Sequence, residues 1–355
     1  MAKKKTSPTK KKSGNAPRSR KAGAPALLVT GGAGYIGSHT VRMLVAAGER
    51  VVVLDDLAYG HRDALVDRGV AFVKGHIGDA KTVEAIFRKH AIEGVIHFAA
   101  WTSVPESVRE PAKYYANNTA APLVLLEAMK RHGAKRFIFS STAATFGNPQ
   151  YVPIDEKHPQ APINPYGMSK LMLERILADF EPAWGLQSVK LRYFNASGAS
   201  EDALIGEDHD PETHIIPLVL MAAAGRRPNI TVFGRDYPTP DGTCIRDYIH
   251  ILDLARAHVM ALDYLRKGGA SIGLNLGTGH GHSVQEIIES CKRVTGLPIP
   301  LVEGDRRPGD PPELVANPAL AEKVLGWKAQ YQDLDSIVRT AWAWMNGPRK
   351  GKFKK

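Results

Sequence analysis

The segment Thr30-Gly31-Gly32-Ala33-Gly34-Tyr35-Ile36-Gly37 follows the apolar run 26–29 and leads into a stretch of helical periodicity that extends to about residue 47. Its glycines at positions 31, 34 and 37 are three residues apart. Glycine permits a tight turn, lets backbone N–H groups approach a phosphate, and allows a helix to pack closely on a strand. The positive end of the helix dipole favours the same anion. Strand, glycine-rich turn and helix in this order predict a dinucleotide-binding turn.

The chain around this turn alternates short β-branched runs with helical stretches. Runs at 51–54, 70–73, 94–98, 136–140 and 188–192 are separated by helices, which is typical of βαβ units. We therefore expect an α/β fold with a Rossmann-type doubly wound parallel sheet over residues 26–195. Beyond residue 196 proline and glycine become frequent, and short strands near 230–233 and 273–276 lie among helices. Residues 196–345 are expected to form a smaller, mixed α/β substrate-binding domain.

The positive charge of the chain is concentrated at its two ends. The net charge is +11, but residues 1–25 hold nine Lys/Arg and residues 346–355 hold five, with no acidic residue in either segment. The remaining body is slightly acidic, so nucleic acid is not an expected partner. Residues 1–25 lack the apolar residues needed to fold, and we expect a disordered basic tail there and a second basic tail at 346–355.

Cysteine content and hydropathy bear on the compartment. Cys244 and Cys291 are the two cysteines, which fits a reducing, cytoplasmic environment and excludes a disulfide framework. No apolar run reaches the ~18 residues of a membrane span, so no membrane association is expected. No metal site is predicted.

An acidic residue marks the cofactor that the turn would bind. Asp55 ends the second strand, eighteen residues after Gly37. A carboxylate at this place accepts hydrogen bonds from ribose hydroxyls and repels a 2′-phosphate. The sequence therefore predicts NAD rather than NADP.

A second constellation carries acid–base chemistry. Tyr166 and Lys170 are four residues apart at the start of a helix, which places them on one face. A neighbouring cation stabilises phenolate, so we expect a lowered Tyr166 pKa and a role as proton acceptor. Thr142 is the last residue of a strand that ends at 139–142, and parallel-sheet enzymes hold ligands at the carboxyl ends of strands. Its hydroxyl is expected to share the substrate hydroxyl with Tyr166.

Taken together, the motifs resemble the extended short-chain dehydrogenase/reductase family and, within it, the UDP-glucose (UDP-galactose) 4-epimerases. The broader likeness rests on the glycine-rich turn, Asn117-Asn118, Ser140-Ser141-Thr142 and the Tyr166–Lys170 pair. The narrower likeness rests on Phe194-Asn195, Val232-Phe233-Gly234, Asp236-Tyr237-Pro238-Thr239, Arg246-Asp247-Tyr248-Ile249-His250 and Arg306-Arg307-Pro308-Gly309-Asp310. The resemblance covers about residues 26–345.

The resemblance implies a redox reaction with no net redox change. Tyr166, with Lys170, would take the proton of the sugar 4-hydroxyl while tightly held NAD+ takes the C4 hydride. The 4-keto sugar would turn over with its UDP anchored, and hydride and proton would return on the other face. Members of this family usually form homodimers through the helix after the fourth strand and the Tyr–Lys helix. Candidate interface residues here are Leu123, Leu126, Met129, Leu171 and Ile176.

The implied site residues fall into two groups. The cofactor group comprises Gly31, Gly34, Tyr35, Ile36, Gly37, Asp55, Ile77, Phe98, Ala99, Ala100, Asn118, Ser140, Tyr166, Lys170 and Tyr193. The UDP-sugar group comprises Thr142, Tyr166, Asn195, His214, Ile215, Thr231, Val232, Phe233, Arg246, Tyr248, Arg307, Asp310 and Leu314. Arg246 and Arg307 would clamp the diphosphate, Phe233 would lie at the uracil, Asp310 would bind the uridine ribose, and Leu314 would occupy a gate beside the sugar C2.

Three positions depart from the family pattern. His76 stands where an Asp usually meets the adenine, Thr102 where many members carry Lys, and His214 where many have Asn facing the substrate. The family's adenine, cofactor and substrate contacts therefore do not transfer directly to these three positions, but none of the departures removes the Tyr166–Lys170 chemistry.

The same residues disfavour two other functions. A 4,6-dehydratase of this fold carries Asp-Glu after the catalytic hydroxyl, whereas Ala143 and Ala144 follow Thr142 here. A non-catalytic NAD-binding protein would often lose Tyr166 or Lys170. Among 4-epimerases, UDP-xylose/UDP-arabinose and UDP-N-acetylglucosamine remain alternatives to UDP-glucose/UDP-galactose.

Overall fold

The computed structural model describes residues 25–307 and 310–354, so the basic segment expected over 1–25 lies outside the described residues except for Pro25. The main sheet contains seven strands: β1 (Ala26–Thr30), β2 (Arg50–Asp55), β3 (Ala71–Lys74), β4 (Ile92–His97), β5 (Arg136–Thr142), β6 (Gln187–Tyr193) and β10 (Ile272–Leu276). All pairs are parallel, and the spatial order is β3-β2-β1-β4-β5-β6-β10. The expected doubly wound sheet is confirmed, with a switch point between β1 and β4.

Helices cover both faces of this sheet. The eleven helices of the described residues are α1 (Tyr35–Ala46), α2 (Ala80–Lys89), α3 (Val104–Arg109), α4 (Pro111–Tyr115), α5 (Ala121–His132), α6 (Pro165–Trp184), α7 (Ile215–Ala223), α8 (Ile251–Arg266), α9 (Val284–Thr295), α10 (Ala319–Leu325) and α11 (Leu334–Asn346). Single turns of other helix types occupy Arg62–Ala64, Ala116–Ala120 and Ala143–Thr145. Leu27 and Val29 of β1 pack toward α1 and α8, whereas Leu28 packs toward α2 and α5. Burial on both faces explains why these strands read as continuous apolar runs.

A smaller unit stands beside the carboxyl edge of the main sheet. Its strands are β7 (Asn195–Ser197), β8 (Ile230–Phe233), β9 (Ile245–His250), β11 (Gly281–Ser283), β12 (Leu301–Gly304) and β13 (Glu313–Leu314). β9 pairs with β7, β11 and β13, and β8 pairs with β12. A separate apolar core joins them to α7, α9 and α11.

The boundary between the two units differs from the sequence expectation. The strand expected at 273–276 in the smaller domain is β10, which extends the main sheet beside β6. Helix α8 also belongs to the main unit, because Leu254, Ala257 and Ala261 pack in the same core as β1. Helical periodicity identifies an apolar face but not the sheet that will cover it, so this return crossing was not evident from sequence.

The C-terminal segment also differs from expectation. Residues 347–354 were expected to belong to a basic tail, but Phe353 is 8% exposed and packs on Trp344 and His61. Its N–H donates to Asp208 at 2.8 Å. One aromatic side chain therefore fixes a segment whose charge pattern suggested a solvated end. Among the described helices, none has the length and hydropathy that crossing a lipid bilayer requires.

The glycine-rich turn depends on the missing side chain at position 37. A Cβ on Gly37 would lie 2.1 Å from the Gly31 carbonyl oxygen, whereas one on Gly34 would lie 3.4 Å from the same atom. We expect Gly37→Ala to destabilise the cofactor-free protein by about 1–3 kcal/mol, as overpacking does, and Gly34→Ala to change stability by less than about 0.5 kcal/mol. Denaturant unfolding of both variants measures this difference, and equal stabilities would contradict it.

Candidate active site

The turn after β1 and the loop after β4 meet at the carboxyl edge of the sheet. Gly31 has φ +69°, and a Cβ there would lie 2.5 Å from the Ala99 nitrogen. The N–H groups of Phe98 and Ala99 both donate to the Thr30 carbonyl. Gly34 caps α1 without a side-chain hydrogen bond, so the N–H groups of the first turn are not occupied by a cap. The arrangement is a backbone cradle that fits an anion.

Asp55 lies at one side of this cradle. Its carboxylate accepts from the N–H of Ala33 at 2.9 Å and of Leu57 at 2.8 Å, and the side chain is buried. Burial raises its pKa, and these hydrogen bonds act in the opposite direction. A carboxylate has about four lone-pair sites, so acceptor capacity is left for a ribose hydroxyl.

Other residues of the expected cofactor group line or support the same edge. The Tyr35 hydroxyl donates to the Gly198 carbonyl at 2.6 Å, which ties the glycine-rich turn to the smaller unit. The Phe98 ring packs on His258, with ring centroids 4.6 Å apart. Ile77 is buried in the core below the sheet edge. Ile36 and Ala100 are partly exposed on the turns after β1 and β4.

The start of α6 is held against the turn after β5. Asn164 caps the helix by accepting from the Gly167 N–H at 2.9 Å. A Cβ on Gly167 would lie 2.4 Å from the Ala144 carbonyl oxygen, so only glycine permits this approach. Thr142, at the end of β5, accepts from the Ala144 N–H at 3.1 Å. The expected neighbours Thr142 and Tyr166 are thereby brought together, and the hydrogen bond between their side chains acts to lower the pKa of Tyr166.

Lys170 lies one turn below Tyr166 and is 2% exposed. Its Nζ donates to the Ser140 carbonyl at 2.9 Å and lies 4.9 Å from the centroid of the Phe139 ring. Burial lowers the pKa of Lys170 to about 7. The sequence had predicted that a neighbouring cation lowers the pKa of Tyr166. This prediction is wrong, because burial raises that pKa. Desolvation of the phenolate outweighs the hydrogen bond with Thr142, which acts to lower the pKa of Tyr166.

Ser140 also contacts Tyr193 across the strand ends. The two hydroxyl groups form a short hydrogen bond, and burial raises the pKa of Tyr193 above its ordinary value. Ser140 thus meets Lys170 through its carbonyl and Tyr193 through its hydroxyl. These contacts place three of the expected cofactor-group side chains on one surface.

Asn118 acts on the site through other residues. Its Oδ1 accepts from the Trp101 N–H at 2.9 Å, and its Nδ2 donates to the Trp101 carbonyl and to Ser169 Oγ at 2.9 and 3.1 Å. The amide therefore ties the loop after β4 to α6. His76, the departure from the expected Asp, is also occupied: its Nε2 lies 2.8 Å from Asn117 Oδ1.

A buried ion pair that sequence reasoning missed supports the Tyr–Lys helix. Glu174, one turn after Lys170, pairs with Arg192 Nη2 at 2.6 Å and accepts from Ser141 at 2.6 Å. Both charged side chains are nearly buried. The pair fixes α6 to β5 and β6, but its members are eighteen positions apart and give no sequence signal.

The smaller unit holds a second group of the expected substrate residues. Arg246 is 8% exposed and forms a close ion pair with Asp310, while the Arg307 guanidinium lies 4.2 Å from the centroid of the Phe233 ring. Leu314 pairs in register with Arg246 through β13 and β9. Expected substrate residues are therefore brought together, although Arg246 and Asp310 contact each other.

Not every residue of the expected substrate group lines the cleft. Tyr248 is 3% exposed and Val232 is 1% exposed, both in the core of the smaller unit. Thr231 is partly exposed on β8, and Asn195 pairs in register with Tyr248 at the start of β7. The alternation of a strand buries one side of β8, which a contiguous motif does not distinguish.

His214 immediately precedes Ile215, the first residue of α7, and meets two acidic residues. Its Nδ1 lies 2.7 Å from Glu207 Oε1 and 3.0 Å from Glu212 Oε1. The neighbouring Glu207 raises the pKa of His214 well above its ordinary value. His209 completes the group, 3.1 Å from Glu207. Sequence reasoning missed this cluster, although Glu-x-His occurs twice within eight residues.

The sequence of this chain matches a known protein family and its members. Residues 27–277 match the profile of the NAD dependent epimerase/dehydratase family. The UDP-glucose 4-epimerase of Lacticaseibacillus casei is 51% identical over 325 residues, covering 92% of this chain and 98% of that protein.

Solved structures agree with this similarity. The UDP-glucose 4-epimerase from Brucella ovis, in complex with NAD, is 52% identical with a TM-score of 0.87 and covers 90% of this chain and 98% of that one. The Bifidobacterium longum enzyme, in complex with NAD+ and UDP, is 40% identical with a TM-score of 0.87, covering 92% and 100%.

Burial of Lys170 leads to a pH-dependent prediction. A lysine whose folded-state pKa is lowered disfavours folding fully below about pH 7, and this penalty disappears as the pH approaches the ordinary lysine value of about 10.4. In the cofactor-free protein, Lys170→Met is expected to raise the free energy of unfolding by about 1–3 kcal/mol near pH 7, with the lost Ser140 hydrogen bond offsetting part of the gain. The gain should shrink toward pH 10.

Denaturant unfolding across that pH range measures the gain, with Lys130→Met as the exposed-lysine control. A gain that grows with pH, or one shared by the control, would contradict the assignment of a desolvated ammonium to Lys170.

Proposed function

The chain belongs to the NAD dependent epimerase/dehydratase family, and from that premise we propose how its own residues carry out NAD-dependent 4-epimerisation of a UDP-hexose. The observation that carries the proposal is the placement of Tyr166 and Lys170 on one turn of α6, beside Thr142 at the carboxyl end of β5. A phenol, an ammonium and a hydroxyl are thereby available to one sugar hydroxyl. We propose UDP-glucose and UDP-galactose as the substrate pair.

Tyr166 accepts the proton of the sugar 4-hydroxyl and later returns it. Thr142 holds the same hydroxyl through its own donor and acceptor. NAD, when held in the cradle after β1, would supply the hydride chemistry that no side chain offers. Lys170 donates a hydrogen bond to the Ser140 carbonyl, one helical turn from the phenol, and places its amino group there.

The cradle after β1 fits a dinucleotide. Gly31 and Gly37 hold backbone at distances that any Cβ would obstruct, and the uncapped start of α1 suits a pyrophosphate. Asp55 is placed to accept from a ribose hydroxyl. Tyr193 contacts Ser140, whose carbonyl accepts from Lys170, and Asn118 orders the loop after β4 through Trp101.

Residues of the smaller unit anchor the UDP. Arg246 and Arg307 offer forked guanidinium donors that suit diphosphate oxygens, and a guanidinium has donors beyond those used on one carboxylate. Phe233 is 38% exposed, so its ring is available to the uracil. Anchoring by UDP leaves the 4-keto sugar free to turn over between the two hydrogen transfers.

Removing the proton acceptor tests the proposal. Tyr166→Phe should lower kcat for UDP-galactose conversion by at least ~10²-fold, the typical effect of losing a general base. Tyr264→Phe on α8, remote from the cleft, is the matched control and should retain activity. Both proteins are assayed without added cofactor, with the NAD content measured after denaturation. Near-normal turnover by Tyr166→Phe with full NAD content would overturn the assignment.

The size of the sugar pocket is the second element of the proposal. Leu314 is partly exposed beside Arg246 and is larger than the residues that admit an N-acetyl group. We expect UDP-glucose/UDP-galactose to be the better pair, with weaker conversion of UDP-N-acetylglucosamine, because a misfit of this size is worth ~1–3 kcal/mol. UDP-xylose/UDP-arabinose is assayed as the remaining alternative.

Leu314→Tyr should lower kcat/KM for the N-acetylated pair relative to the plain pair by about 10-fold or more. Val302→Tyr, an exposed apolar position on β12, is the control. An unchanged ratio in Leu314→Tyr would remove Leu314 as the gate.

We further propose a homodimer formed through α5 and α6. Leu126, Met129 and Leu171, which the sequence had placed in the interface, are buried within the main unit. Leu123 and Met172 are instead 38% and 40% exposed on the same helices. Ile176 is only partly buried and packs against the same core.

The double variant Leu123→Glu/Met172→Glu should halve the mass measured by light scattering at micromolar concentration. Leu297→Glu, which is equally exposed on another face, should leave it unchanged. A wild-type monomer, or a dimer in the double variant, would contradict this interface.

A further inference from the structure

The segment between β7 and α7 gathers four side chains with metal-ligating atoms. Glu207, His209, Glu212 and His214 each offer one donor atom, and these atoms all lie within 4.8 Å of one another. His209 Nδ1 lies 3.1 Å from Glu207 Oε1 and 3.9 Å from Glu212 Oε2. His214 Nδ1 lies 2.7 and 3.0 Å from the same two carboxylates.

These spacings suit a four-coordinate cation. Zinc bonds to imidazole nitrogen and carboxylate oxygen of about 2.0–2.1 Å place neighbouring tetrahedral donors roughly 3.3 Å apart. The four nitrogen-to-oxygen separations, 2.7–3.9 Å, lie on both sides of that value, and no two of the four donor atoms are more than 4.8 Å apart. The segment therefore holds the donors near the geometry that the cation requires.

Burial and charge point the same way. The side chains of Glu207 and Glu212 are only 6% and 7% exposed, whereas those of His209 and His214 are 27% and 54% exposed. Within the described residues, the ion pairs of both carboxylates are to His209 and His214. A divalent cation held by two neutral imidazoles would balance the charge of the two carboxylates.

We propose that Glu207, His209, Glu212 and His214 bind one divalent transition-metal cation, with Zn²⁺ as the preferred ion. Two imidazole donors select against Mg²⁺ and Ca²⁺, which favour oxygen ligands throughout. A cavity of about 320 Å³ borders Glu207, His209 and Glu212 and gives an ion access to the donors.

The position of the site indicates a structural role. The edge of the His209 ring meets Tyr35 of the glycine-rich turn, with centroids 6.2 Å apart. Asp208 contacts His61, from the loop after β2, through its carbonyl at 3.1 Å from Nε2. A bound cation would therefore fix this segment of the smaller unit against the dinucleotide-binding turn. This inference goes beyond the epimerase reaction, and its test measures metal binding rather than turnover.

The experiment uses the untagged full-length protein, stripped with a chelator and re-equilibrated with Zn²⁺. Elemental analysis should find one Zn²⁺ per chain, and thermal unfolding should shift upward with Zn²⁺ but not with Mg²⁺ or Ca²⁺. His209→Gln and Glu212→Gln should each weaken Zn²⁺ affinity by at least ~100-fold, since even residues outside the ligand set change affinity by 10–100-fold. His132→Gln removes another His–Glu pair, at 3.0 Å from Glu84, and should bind Zn²⁺ as the wild type does.

Stoichiometric binding that is lost in both cluster variants and kept in the control supports the proposal. Absent binding by the wild type, or equal binding by all four proteins, overturns it. If a cluster variant does not fold, Co²⁺ absorption of the wild type decides: intense visible bands of a four-coordinate ion support the site, and weak bands of a six-coordinate ion overturn it.

Discussion

The buried ammonium of Lys170 is the constraint on which the rest of the site depends. A cation with 2% exposure needs a fixed acceptor, and the Ser140 carbonyl provides one only if β5 and α6 keep their separation. The Glu174–Arg192 pair maintains that separation from one turn further along α6. The close approach of Gly167 to Ala144 maintains it at the other end. Tyr166 is thus positioned by a support that extends across three elements.

The sheet could be predicted because its determinants are local. β1 and β2 are apolar runs bounded by turns, and right-handed βαβ connections leave few ways to order the strands of the sheet. The placement of β10 and α8 could not be predicted in this way. Their apolar faces are equally compatible with either unit, and only packing against β6 and α1 decides between them.

The same distinction separates the site residues. Tyr166 and Lys170 are one helical turn apart, so their spacing alone predicts a shared face. Asn118 and Ser169 meet across 51 positions, and Arg246 meets Asp310 across 64, where no periodicity applies. The pKa of Tyr166 could not be predicted from the sequence either. It follows the desolvation of the side chain, which depends on the folded surroundings rather than on the neighbour four residues away.

The return of the chain to the main sheet limits how this architecture can be recombined. The smaller unit is inserted in pieces: residues 195–250 precede α8, residues 281–304 follow β10, and α10 packs again with the main unit before α11 rejoins the smaller one. A chimaera of two such proteins joined near residue 195 would therefore combine the sheet of one parent with the edge strand β10 and the covering helix α8 of the other. Exchange of sugar-binding walls between such proteins must proceed through loop-sized segments, which leaves the cofactor-binding scaffold intact while specificity diverges.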